Sequence, residues 1–214
     1  MNVLLFGPPG VGKGTQGARL AEALGARHLA LGDMLREAVR AGTEVGKLAQ
    51  RYMERGELVP DEVVARVIEE AIAQSDQGFV LDGFPRNVAQ AEMLDRMLAR
   101  LQRRLDKIVF MDAPEEVLIR RLAGRLVCSG CGASFHRQYS PPAQAGVCDH
   151  CGAALVQRAD DREEVVAERL RVYREQTAPL LAFYRGREGF VEVDADASPD
   201  EVFQRLLDAV GVRG

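Results

Sequence analysis

The chain has 214 residues, of which 47% are hydrophobic and 28% charged, and a formal net charge of −4. That length suits one domain with a sizeable core, and the composition is that of a soluble globular protein. The acidic balance argues against nucleic acid as the main partner, because phosphate-backbone binding needs a net basic face. No apolar run approaches the roughly 18 residues of a membrane helix, and the opening MNVLLFG lacks the basic lead of a targeting peptide. Neither a membrane nor a nucleic acid is expected as a partner, and the expected location is cytoplasmic.

In chain order, VLLF (3–6) predicts a first strand and the stretch from Lys13 a helix; RHLAL (27–31) is a shorter second strand. Helical periods follow from Asp33, Thr43 and Asp61. FVLD (79–82) is a strand, then a helix begins near Asn87; KIVFMD (107–112) is a strand, then a helix begins near Pro114. One long helix is expected over 161–185, a strand over FVEVD (190–194), and a last helix over 199–210 behind Ser198-Pro199-Asp200-Glu201. The apolar runs suit strands buried on both faces. Their alternation with helices predicts an α/β fold with a five-stranded parallel sheet flanked by helices. Residues 126–160 break the rhythm: they hold all four cysteines and Pro141-Pro142, with no helical period. They read as a small inserted subdomain.

GPPGVGKGT (7–15) follows the first strand and opens a helix, the context of a phosphate-binding loop. Gly7, Gly10, Gly12 and Gly14 let backbone N–H groups turn toward phosphate oxygens, and the helix N-terminus adds its dipole. Lys13 supplies an ammonium. Position 14 is Gly where the usual pattern has the Ser or Thr that ligates Mg²⁺. The cysteines form two knuckles, Cys128-x-x-Cys131-Gly and Cys148-x-x-Cys151-Gly, with sixteen residues between them. Four thiolates at this spacing suit a tetrahedral structural Zn²⁺ site; two disulfides or a four-thiolate iron site are the alternatives.

GxPGxGKGT resembles the nucleoside monophosphate kinases, and the adenylate kinases above all. Asp82-Gly83-Phe84-Pro85-Arg86 with Gln90, GDMLR (32–36) and the four-cysteine insert extend the resemblance over essentially the whole chain. It implies a P-loop NTPase core over 1–29, 60–123 and 162–214, an AMP-binding subdomain over 30–59, and a zinc-bearing lid over 124–161. The implied ATP contacts are Gly10, Val11, Gly12, Lys13, Gly14 and Thr15, with Arg121, Arg125, Ser134, Phe135 and Ala197. The implied AMP contacts are Leu31, Arg36, Glu57, Leu58, Val59, Gly83, Phe84, Pro85, Arg86, Gln90, Arg158 and Arg169.

Lys13, Arg86, Arg121, Arg125, Arg158 and Arg169 would neutralise the transferring phosphoryl group, and Asp82, at a strand's C-terminal end, would orient the waters of Mg²⁺ carried in with ATP. Arg121 and Arg125 would share one face of the helix from Pro114; Arg120, Arg162 and Arg171 read as surface charges. The implied reaction is MgATP + AMP to two ADP by direct transfer in a monomer. A lid hinged near Gly124 and Asp160-Asp161 would exclude water. In one departure, Ala30 and Leu31 stand where the family has Ser and Thr, so no hydroxyl approaches the monophosphate base. A pyrimidine (UMP/CMP) monophosphate kinase is therefore the alternative, opposed by Gln90.

Overall fold

The computed structural model describes residues 1–212; residues 213 and 214, the end of the expected 162–214 core segment, lie outside the described residues. The first strand β1 (Asn2–Phe6) sits at the centre of a five-stranded parallel sheet. Around it lie β2 (Arg27–Ala30), β3 (Phe79–Asp82), β4 (Lys107–Asp112) and β8 (Phe190–Asp194), in the order β2-β3-β1-β4-β8. Leu5 pairs with Asp82 on one side and Val109 on the other, so β1 and β3 end together at one sheet edge.

Strand alternation builds two apolar layers from one sheet. Leu4, Phe6, Leu81 and Phe110 face a layer completed by α4 (Asp61–Ala73), α5 (Val88–Arg100) and α8 (Pro179–Tyr184) through Ile68, Leu94 and Leu180. Val3, Leu5, Val80 and Met111 face the other, completed by α1 (Lys13–Leu24), α6 (Glu115–Ala123) and α9 (Pro199–Val210) through Leu20, Leu122 and Leu206. Each fully buried aliphatic side chain contributes about 1.5–3 kcal/mol, so most of the apolar stabilisation is gathered on the two faces of the sheet.

The remaining elements hang on this frame. The helices α2 (Leu31–Arg40) and α3 (Glu44–Met53) cross closely, since a Cβ on Gly46 would lie 2.1 Å from the Ala38 carbonyl oxygen. Thr43 caps α3 and Asn87 caps α5, each side chain accepting a backbone N–H three residues on. The cysteine segment is an antiparallel sheet of β5 (Arg125–Cys128), β6 (Ser134–His136) and β7 (Leu155–Val156), ordered β6-β5-β7.

Four expectations shift. Helix α2 begins at Leu31 rather than Asp33, which lies within its first turn, and β2 stops at Ala30. Arg121 and Arg125 do not share a helix: α6 ends at Ala123, and Arg125 begins β5 after Gly124. The long helix over 161–185 is divided into a 3₁₀ turn (Ala159–Asp161), α7 (Glu163–Val172), a π turn (Tyr173–Thr177) and α8. Pro179 explains the break between α7 and α8, because it has no N–H to donate and its ring would press on the carbonyl four residues back; the first break is at Arg162, whose backbone is extended. The insert agrees with its reading: over 126–158 it has no helix and is largely turns around its short strands.

Candidate active site

Strand β1 delivers the chain to Gly7 at the sheet edge. A Cβ there would lie 2.1 Å from the Met111 carbonyl oxygen, so only Gly lets the loop lie against β4. Gly12, at φ 104, turns the loop into α1. Lys13 folds back across the loop, its Nζ donating to the Gly7 and Pro8 carbonyl oxygens at 2.8 and 2.9 Å. Burial lowers its pKa to about 8, helped by Arg86, Arg169 and Arg125 and opposed by Asp82. A Cβ at Gly14 would lie 3.7 Å from Asp82 Oδ2. A Ser side chain there would therefore stand beside that carboxylate.

Opposite the loop, arginines converge on internal carboxylates. Arg125 donates from Nε and Nη2 to the two oxygens of Asp161 at 2.7 and 2.5 Å. Arg169 reaches the same Asp161 at 3.0 Å and Asp160 at 3.2 Å. Asp33 takes Arg36 at 2.5 Å and Arg158 at 3.6 Å. Arg86 donates from Nε to the Gly83 carbonyl at 2.7 Å. Burial, then Arg169 and Arg36, pull Arg86 down to about 10; burial, Arg125 and Arg36 do the same to Arg158. Burial also opposes the charge on Arg125, but the Asp161 hydrogen bond and charge outweigh it and the pKa rises. Six cations, Lys13, Arg36, Arg86, Arg125, Arg158 and Arg169, face the carboxylates Asp33, Asp82, Asp160 and Asp161, a surplus of positive charge that suits an anion.

Lys13, Asp33, Arg36, Asp82, Arg86, Arg125, Arg158, Asp160 and Arg169 line one cleft of about 1260 Å³, larger than the ~300–1,000 Å³ usual for a single small ligand. Gly10, Val11, Gly12, Gly14, Thr15, Arg121, Ser134, Phe135 and Ala197 line it around the loop and lid; Leu31, Glu57, Leu58, Val59, Gly83, Pro85 and Gln90 line it beyond Arg86. Phe84 is the exception: its side chain is fully buried in the core and does not line the cleft. Arg121 donates to the Ala195 and Ala197 carbonyl oxygens at 2.9 and 3.1 Å. Gln90 is already engaged, with Oε1 accepting from Arg86 N and Nε2 donating to Asp61 Oδ1, both at 2.7 Å. One amide hydrogen and one lone pair are left for a base.

In the lid the four cysteines are free, and their sulfurs lie within 4.8 Å of one another. Backbone N–H groups of Gly130 and Cys131 point at Cys128 Sγ, and that of His150 at Cys148 Sγ. The Cys131 N–H leads the forces that lower the Cys128 thiol to about 6. Four converging sulfurs with thiolate-directed N–H groups fit a tetrahedral metal site.

Compared with known proteins, residues 5–189 match the family Adenylate kinase. The chain is 47% identical over 216 residues to an adenylate kinase of Thermoanaerobacter sp. (strain X514), covering 100% of both chains. It is 47% identical over 208 residues to one of Archaeoglobus fulgidus, covering 96% of each, and 45% identical over 213 residues to one of Geobacillus sp. (strain WCH70), covering 99% of each. The chain belongs to the adenylate kinase family. It is thus a nucleoside monophosphate kinase with the P-loop α/β fold, and a pyrimidine-specific relative is not the favoured reading.

Within this adenylate kinase fold, some cleft residues escaped the sequence reading. Asp161, expected at a hinge, is fully buried behind the cleft lining and joins Arg125 to Arg169, which do line it. Asp33 and Asp160 occupy arginines in the same way. His28 lines the cleft 4.0 Å from Asp82. Arg120, read as a surface charge, lines the cleft rim, whereas Arg171 pairs with Glu168 and Glu175 on the surface as expected. For Asp160 and Asp161 the available signal was the run of carboxylates in RADDRE, set between arginines.

Proposed function

We propose that this chain catalyses reversible phosphoryl transfer from MgATP to AMP, giving two ADP, with each nucleotide at one end of the cleft. The observation that carries the reading is a single cleft lined both by the P-loop with Lys13 and by Arg36, Arg86, Arg121, Arg125, Arg158 and Arg169. Lys13 and the loop N–H groups hold the ATP phosphates. Arg36 and Arg86 grip the AMP phosphate, while Arg121, Arg125, Arg158 and Arg169 neutralise the transferring group. Gln90 reads adenine with its free hydrogen-bonding positions, and Leu31 gives the base an apolar wall. Phe84 contributes through the backbone it anchors.

Magnesium, when bound with ATP, offsets phosphate charge; Asp82 is the carboxylate placed to hold its waters. A zinc ion held by Cys128, Cys131, Cys148 and Cys151 would brace a lid too small for its own core. The division into core (1–29, 60–123, 162–214), AMP-binding segment (30–59) and lid (124–161), a cytoplasmic location and a monomeric state belong to the same reading. No helix among the described residues is long and apolar enough to cross a membrane. Initial rates of ADP formation from MgATP with AMP, UMP, CMP and GMP as separate acceptors test the proposal. A strong preference for AMP is expected; comparable rates with UMP or CMP would transfer the assignment to the pyrimidine kinases.

A further inference from the structure

Arg86 lies on an irregular segment between β3 and α5, with no strand or helix of its own to hold it. Its backbone is nevertheless pinned at both polar groups by side chains. The N–H donates to Gln90 Oε1 at 2.7 Å, and the carbonyl oxygen accepts from Thr177 Oγ1 at 2.6 Å. No backbone N–H donates to that carbonyl among the described residues. Thr177 is largely buried, at 8% exposure, and comes from the π turn, ninety-one positions along the chain from its partner.

The π turn sets that contact. Ala178 N donates to the Tyr173 carbonyl oxygen at 2.8 Å, a step of five residues instead of four. In a regular α-helix each residue turns by about 100°, so closing the bond one residue earlier would swing Thr177 away from Arg86. Such single wide turns recur at functional sites. Here the cause is legible in sequence, since Pro179 disfavours the regular helix behind it. A guanidinium that grips phosphate must be held within roughly 0.5 Å of its working position, and a loop arginine needs outside support for that.

We propose that Thr177 is a positioning residue for AMP binding, its hydroxyl fixing the backbone of Arg86 so that the guanidinium meets the monophosphate. The proposal rests on the reading of Arg86 as the AMP phosphate clamp. The test is calorimetric titration of Thr177→Val, Thr177→Ser, Arg86→Ala and Thr177→Val/Arg86→Ala with AMP and, separately, with ATP, alongside melting curves. The loss of one hydrogen bond predicts a roughly three- to tenfold weaker AMP affinity in Thr177→Val, with ATP affinity kept within about twofold. Thr177→Ser, which keeps the hydroxyl, restores AMP binding. In the Arg86→Ala background the valine has no further effect, because the two residues act as one unit.

Equal weakening of both nucleotides, or a valine effect that persists without Arg86, overturns the proposal. If Arg86→Ala abolishes AMP binding while Thr177→Val leaves it intact, the proposal falls and the clamp reading stands. If Arg86→Ala keeps AMP affinity, the clamp reading falls and takes the proposal with it. Should the valine not pack, Thr177→Ala is judged by the same outcomes.

Discussion

At Lys13, burial and three cationic neighbours act in one direction and leave the ammonium with a pKa of about 8. A polyphosphate beside it favours the charged form and raises that value again. Nucleotide binding should therefore take up protons at about pH 8.5 and almost none near pH 7; calorimetry in two buffers of different ionisation enthalpy measures this. Equal uptake at both pH values would show that Lys13 is not the titrating group. Asp161 makes a second residue-scale case. Asp161→Asn keeps the shape but turns an amide N–H toward arginine donors and strips the charge shared by Arg125 and Arg169. Breaking such a buried pair costs about 3 kcal/mol, a fall in melting temperature of roughly 6–12 °C for a chain this size. No change on melting would mean the pair is dispensable. The sequence hid this residue because ADDRE has the composition of an exposed helix start; only the fold brings Arg125 back to it.

At the scale of elements, legibility follows burial. VLLF, FVLD and KIVFMD were readable as strands because both faces of the sheet are covered, which demands unbroken apolar runs. The phosphate loop was readable because Gly and Lys at fixed offsets have few other uses. The lid sheet was not: β7 has two residues, and strands this short carry no alternation. The small cluster behind it holds Phe135 with two of the cysteines, too little apolar area for independent stability. A metal on the four cysteines, as proposed, would supply the difference, since structural zinc contributes about 10–16 kcal/mol in comparable units. Metal analysis of the purified protein is expected to find one zinc per chain. Stripping it should leave amides of β1 and β4 protected from hydrogen exchange while those of β5 and β6 exchange rapidly. Unchanged protection in the lid after chelation would remove the structural role from the metal.

Across the whole molecule, the cleft balances arginines against its own carboxylates. Asp33 and Asp160 have pKa values below their ordinary value: burial raises them, but Arg36 and Arg169, respectively, lead the charges that outweigh it. A depressed carboxylate adds stability that is fully present above its unfolded pKa and is lost as pH falls through the lower folded value. The nucleotide-free protein should accordingly lose thermal stability below about pH 4, as these groups protonate and leave the arginines facing one another. The carboxylates cover only part of the positive charge: Arg86 bonds a backbone carbonyl and Lys13 two, with no carboxylate within hydrogen-bond reach of either among the described residues. An inorganic polyanion that touches no base-reading residue should then stabilise the fold. At one hundred times its dissociation constant, tripolyphosphate adds about 2.7 kcal/mol, a rise of roughly 5–11 °C in melting temperature at this chain length. Lys13→Met or Arg86→Ala should each shrink that rise, and salt should reduce it by screening. A rise equal in both variants would place the anion elsewhere and separate the stability of the cleft from the cations proposed to serve catalysis.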